Sequence, residues 1–265
     1  MSKRFLVTSC KGGVGKSTVA ANLAYAITRL GRRVLLLDMD LGNRSLDLVL
    51  GCEDKVVYDI ADVCTGTVGA RDAVITDPSR EGLFFVPAPF MYEGNITEES
   101  LAQALSELEA DISPDYTILD TSGGADISVE LSAKMSESAL IVTSRNPSSI
   151  RAAGKSAALL DSFGVKEQKL IINCLELDRD EYRDRVGVLE MIDATGLSLV
   201  GIIPRDKKTE VLQEKGKLCT EGKRAVAKEA FENTARRLEG KHVKLLFGVR
   251  GLRERQRRRI LGGER

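Results

Sequence analysis

Phe5-Leu-Val-Thr-Ser-Cys-Lys-Gly-Gly-Val-Gly-Lys-Ser-Thr18 decides how the rest of the chain is read. Phe5 to Ser9 is a short apolar run of the kind buried as a strand, and Ser17 to Leu30 carries apolar residues at helical spacing. Between them, Gly12, Gly13 and Gly15 permit backbone conformations that cost other residues energy, so successive N–H groups can turn inward around an anion. A strand that breaks into glycines and restarts as a helix is a cradle for phosphate, backed by the positive end of the helix.

Gly-Lys-Ser after such a loop is the core of a P-loop. Lys16 then neutralises the β- and γ-phosphates of a nucleotide and the Ser17 hydroxyl ligates Mg²⁺. Downstream, Val34-Leu-Leu-Leu-Asp38 is a continuous apolar run ending in a carboxylate, as expected of a parallel strand covered on both faces, and Tyr116-Thr-Ile-Leu-Asp120 is another strand ending in aspartate. The carboxyl ends of such strands open onto the ligand crevice, which brings Asp38, Asp40 and Asp120 towards the phosphates. Asp120 has the shape of a Walker B carboxylate, suited to Mg²⁺ held partly through water. Asp38 and Asp40, taken alone, read more readily as helix caps or turn formers.

Further strands are expected at Leu83–Val86, Ala139–Thr143, Lys169–Asn173 and Leu199–Pro204. Helices are expected at 58–64, 70–75, 97–110, 148–160 and 222–238. Together they make an α/β chain: a mostly parallel twisted sheet with helices on both faces, one domain over 1–239, followed by a basic tail over 240–265.

Composition narrows the chemistry. The chain has 265 residues, 43% of them hydrophobic, enough for a full core. No run of 18 apolar residues is present, and the first strand begins at once, leaving no room for a signal peptide. Five scattered cysteines without a Cys-x-x-Cys pair argue against a disulfide framework and fit a reducing cytosol. A single histidine, His242, excludes histidine-based catalysis. Net charge is zero, yet residues 241–265 hold nine Lys/Arg against Glu254 and Glu264, so the tail is +7 and the body −7. A basic tail on an acidic globule points to an anionic partner.

Lys11-Gly-Gly-Val-Gly-Lys-Ser-Thr18 has a second lysine at the loop's mouth and resembles the deviant Walker A motif of the MinD/ParA family of dimerising ATPases. The stretch from Asp38 to Glu53, with Val56-Val-Tyr-Asp59, is similar to the switch I region of the MinD branch. The resemblance implies ATP and Mg²⁺ as ligands. The nucleotide is held by Lys11, Gly12, Gly13, Val14, Gly15, Lys16, Ser17 and Thr18, with Asn173 and Pro204 at the adenine. Mg²⁺ sits at Ser17 and Asp120 with support from Asp38, and Asp40 positions the attacking water.

Lys11 is implied to reach a partner protomer's nucleotide, so the homodimer forms with ATP. A proline usual two residues after the Walker B aspartate is replaced by Ser122, with Gly124 as the switch II hinge; Cys174 and Arg205 also depart from the family pattern. In the tail, Leu245, Leu246, Val249, Leu252 and Ile260 share one side of a helical wheel, resembling the family's membrane-targeting helix.

The implied function is an ATP-hydrolysing switch on the inner face of the cell membrane that positions the division septum, with MinC-like and MinE-like regulators. Alternatives are a ParA-type ATPase that binds DNA nonspecifically, a flagellar-number ATPase of the same branch, and a metabolic P-loop enzyme. With no Trp and few aromatics, nucleic acid is not the expected partner.

Overall fold

The computed structural model describes residues 2–177, 186–222 and 225–262. In chain order the elements are β1 (Lys3–Thr8), α1 (Lys16–Thr28), β2 (Val34–Met39), α2 (Leu46–Leu50), α3 (Ile60–Cys64), β3 (Ile75–Thr76), β4 (Leu83–Val86), α4 (Glu98–Ile112) and β5 (Tyr116–Thr121). Then follow α5 (Ile127–Lys134), β6 (Ser138–Ser144), α6 (Pro147–Ser162), β7 (Glu167–Leu175), α7 (Val188–Thr195), β8 (Ser198–Pro204), α8 (Lys207–Gln213), α9 (Val226–Leu238) and α10 (Glu254–Ile260).

The strands form one sheet in the order β3-β4-β2-β5-β1-β6-β7-β8, parallel throughout except for the short antiparallel edge strand β3. β2 and β5 are buried along their whole length, in keeping with the mainly apolar residues that lead up to Asp38 and Asp120. α1 and α9 pack against each other on one face. Right-handed crossovers put α4, α5, α6 and α7 on the other. The chain moves one way from β1 to β2 and the other way from β5 to β6, so the crevice at the carboxyl ends of β1, β2 and β5 is the switch point of the sheet.

Two helical expectations change. Residues 70–75 form only a 3-10 turn over Ala70–Ala73, after which Ile75 pairs with Phe85 as edge strand. The stripe expected over 245–260 is not one helix: Leu246, Gly248 and Gly251 lie at φ 55, 68 and 78°, and α10 covers only its end. Left-handed residues cannot continue a right-handed helix. Leu246, Val249 and Ile260 are instead buried in the common core.

This segment runs from α9, where Asn233 Nδ2 donates to the Phe247 carbonyl at 2.6 Å, towards α7, where Leu189 abuts Gly262. Glu264 and Arg265, counted in the tail's charge, lie outside the described residues. No helix among the described residues is long and apolar enough to cross a membrane.

Candidate functional site

The glycine loop leaves β1 at Ser9 and enters α1 at Lys16, with Gly13 and Gly15 at φ 76 and 86°. Gly15 has no space for a side chain: a Cβ there would lie 2.4 Å from Asn173 Nδ2, which donates to the Val14 carbonyl at 2.8 Å. On the other side, the Cys10 N–H donates to Ser156 Oγ of α6 at 2.8 Å. The end of β7 and the face of α6 thus hold the loop open. The first turn of α1 contains no acidic residue, so its positive end is uncompensated.

Asp38 and Asp120 are paired in register on neighbouring strands and are fully buried. Asp38 Oδ1 accepts the Asp40 N–H at 2.9 Å, and Oδ2 accepts those of Ser45 and Leu46 at 3.0 and 2.9 Å. Burial still pushes its carboxyl up to about 6, against the pull of these three donors. Asp38 therefore shapes the 40–46 loop rather than presenting free oxygens.

Asp120 is the opposite case. Both of its oxygens are buried and have no hydrogen-bond partner among the described residues. Burial and the neighbouring Asp38 push its carboxyl well up, while Ser17 and Lys16 pull it back. Such a group is costly unless a cation joins it. An oxygen-only donor set with an orphaned carboxylate suits Mg²⁺. The Ser17 hydroxyl lies beside it, 3.0 Å from Ser45 Oγ. Asp40 is half-buried and takes a 3.2 Å hydrogen bond from Asn43 Nδ2; burial raises its carboxyl.

Ser17, Asp40, Asn43 and Ser45 border a cleft of about 680 Å³; Asp38 and Asp120 do not line it and are buried at the ends of β2 and β5. The loop and Lys16 form its floor, Ser45, Leu48 and Val49 one wall, and Glu210, Gln213 and Glu214 of α8 and the turn after it the other. Lys16 is nearly buried, makes no hydrogen bond or ion pair among the described residues, and stands 3.2 Å from where a Cβ on Gly123 would be. Gly123 lies closer to the loop than Gly124: a Cβ on it would also come within 3.0 Å of Gly12 Cα, whereas one on Gly124 would meet nothing nearer than Asp126 Oδ2 at 3.8 Å.

Other expected residues fall elsewhere. Lys11 does not line the cleft; its Nζ is held by Ser148 and Ser149 hydroxyls at 2.6 and 3.1 Å. Neither Asn173 nor Pro204 lines the cleft, Asn173 being engaged beneath the loop. Thr18 Oγ1 donates to Gln213 Oε1 at 3.0 Å, tying α1 to α8.

Three participants were missed from sequence: Ser45, Gln213 and Asp126. Asp126 caps α5 and accepts the Ser122 hydroxyl at 2.6 Å, so the residue standing where the family has proline braces the switch II turn. Burial would raise the Asp126 carboxyl, but hydrogen bonds from Ser122, Ser128 and two backbone N–H groups outweigh it and hold it below the ordinary value. An Asp followed two residues later by Ser is a helix-cap signal that could have flagged it. Ser45 and Gln213 carry no such signal.

The ParA family model, described as NUBPL iron-transfer P-loop NTPase, matches residues 1–239. The chain is 35% identical over 267 residues to the septum site-determining protein MinD of Synechocystis sp., covering 99% of this chain and 100% of that protein. To MinD of Helicobacter pylori it is 32% identical over 245 residues, 89% of this chain and 90% of that one. Among solved structures, the MinC:MinD cell division protein complex of Aquifex aeolicus matches with a TM-score of 0.85 at 32% identity, over 92% of this chain and 98% of that one. MinD complexed with Mg-ADP from Pyrococcus horikoshii matches with a TM-score of 0.75 at 25% identity, over 90% and 96%.

Proposed function

The chain belongs to the ParA family of P-loop NTPases, in its MinD branch, and is an ATPase; we propose that it is an ATP-switched dimer that acts at an anionic membrane surface in placing the division septum. The observation that carries the nucleotide part is the partnerless Asp120 carboxylate beside Lys16 and Ser17, at the mouth of a glycine loop. Ser17 and Asp120 would hold Mg²⁺, with Asp38 setting the loop around them. When bound, the ion offsets charge on the triphosphate and polarises its terminal phosphoryl group. Lys16 and the α1 amide groups bind the phosphates, and the half-buried Asp40 orients the attacking water and accepts its proton.

Dimerisation is supported by Lys11, which stays outside its own cleft on Ser148 and Ser149, available to a second protomer. For the membrane, the exposed Arg250, Arg253, Arg255, Arg258 and Arg259 give the 240–262 segment a basic outer surface. Each such charge near an anionic leaflet contributes about 1 kcal/mol. One segment therefore binds weakly, and two on a dimer gain roughly 10²–10⁴ in avidity. Nucleotide would control attachment through dimer formation, with MinC-like and MinE-like proteins as regulators.

The test is co-sedimentation of the full chain with anionic vesicles and with duplex DNA, in Mg-ATP or Mg-ADP. We expect pelleting with vesicles in ATP, lost when Arg253, Arg255, Arg258 and Arg259 become Gln. Lys11→Ala should lose both the ATP-dependent dimer on a sizing column and the pelleting. ATP-dependent pelleting with DNA but not vesicles would favour the ParA-type reading, and an unchanged dimer peak would refute the trans role of Lys11.

A further inference from the structure

The two walls of the cleft are far apart in sequence and meet behind it. There Gly51, which ends α2, and Gly216, in the turn after α8, both sit at φ 62°. Their backbones touch so closely that a Cβ on Gly51 would lie 2.6 Å from Gly216 Cα. Arg80 closes this junction from the 3-10 turn Pro78–Arg80 and is 5% exposed. Its Nη1 donates to the Leu50 carbonyl at 2.5 Å, its Nη2 to the Gly216 carbonyl at 2.9 Å, and its Nε to Glu221 Oε1 at 2.8 Å.

Leu50 is the last residue of α2, where carbonyls lack intrahelical partners and the dipole favours a cation. The Gly216 carbonyl ends the turn that continues from Gln213, which Thr18 binds in the cleft. One planar guanidinium thus satisfies the far ends of both walls, and Glu221 balances its charge. A lysine cannot span that fork.

We propose that Arg80 is a positioning residue for the nucleotide: by clamping the end of α2 to the turn after α8 it sets the separation of the two cleft walls. Arg80 does not line the cleft. Its effect reaches the ligand through Ser45, Leu48 and Val49 on one side and Gln213 on the other. The glycine-loop backbone that cradles the phosphates is braced instead from α6 and β7, through Ser156 and Asn173, neither of which Arg80 touches, so the clamp acts mainly on the walls. The inference rests on the nucleotide reading of the cleft.

The experiment compares the unsubstituted protein with Arg80→Lys and with the charge-balanced Arg80→Gln/Glu221→Gln, measuring KM and kcat for ATP, calorimetric affinity for Mg-ADP and for inorganic tripolyphosphate, and thermal midpoint. Expected is a KM rise of about 10-fold in the double variant and about 3-fold in Arg80→Lys, matched by the Mg-ADP affinity, with kcat within about 3-fold and tripolyphosphate affinity unchanged. A merely structural arginine would lower the midpoint and leave KM alone; that result in Arg80→Lys, the milder variant, overturns the proposal even if the double variant does not fold. Equal weakening of tripolyphosphate overturns it as well. Absence of nucleotide binding by the unsubstituted protein would instead sink the reading of the cleft.

Discussion

The cleft and the C-terminal segment treat charge in opposite ways. At the cleft, Lys16 is nearly buried and, beside it, Asp120 is fully buried; among the described residues the lysine makes no hydrogen bond and neither carboxylate oxygen is paired. In the segment after α9, the arginines stand outside and Leu246, Val249 and Ile260 are packed inward. The first arrangement costs folding energy that a cation and a phosphate chain would return; the second is complete as it stands. A region left unsatisfied by its own fold is where a ligand is expected, whereas a satisfied one contributes to the fold and offers only its outer surface.

The largest test of this contrast is Lys16→Ala. It should lower kcat/KM for ATP by about 10³-fold, read as phosphate release, while the ligand-free thermal midpoint changes little, because relief from burying the ammonium is offset by loss of its attraction to Asp120 and Asp40. Leu246→Ala is the converse. It should cost about 2–4 kcal/mol in urea unfolding with KM unchanged; a cost below about 0.5 kcal/mol would show that the segment is an annex and break the comparison.

The pH dependence sharpens it further. Asp38 has a folded value near 6, above the ordinary 3.8, so the fold holds its proton more tightly than the unfolded chain does. Its contribution is therefore most favourable below pH 3.8 and is lost as pH rises to about 6, by about 3 kcal/mol over that window. Denaturation of the magnesium-free chain between pH 4 and 7 should show stability falling as Asp38 and its likewise raised neighbours Asp120 and Asp40 ionise, against the opposing titrations of paired carboxylates such as Glu239, whose value Arg32 holds down. The smallest effect belongs to the segment's surface. Arg258→Gln should change stability by less than about 0.5 kcal/mol, since its contact with Glu254 is solvent-exposed, and should be felt only in salt-dependent binding to anionic vesicles.

Much of the site was readable in the chain because its parts are local. The glycine loop, Lys16 and Ser17 lie within one turn of backbone, and Asp38 and Asp120 close mainly apolar runs that read as strands of a parallel sheet. The roles of Asn173, Gln213 and Arg80 could not be read that way. Each acts through a partner at a sequence separation of 136 to 195 residues, such as Asn173 with Val14 or Arg80 with Gly216. The apolar stripe of the C-terminal segment misled for a related reason: its spacing fits a helix, but the spacing does not say whether those side chains face lipid or the domain's own core.

The sequence alone determined the class of fold, the phosphate-binding loop and the carboxylates ranged above it, since these follow from backbone freedom at glycine and from continuous burial along strands. Which carboxylate stays unpaired, how the two cleft walls are joined, and where the basic segment lies were decided only in the tertiary structure. Hydrogen-bond satisfaction and packing are properties of groups brought together across the chain, and no local pattern records them.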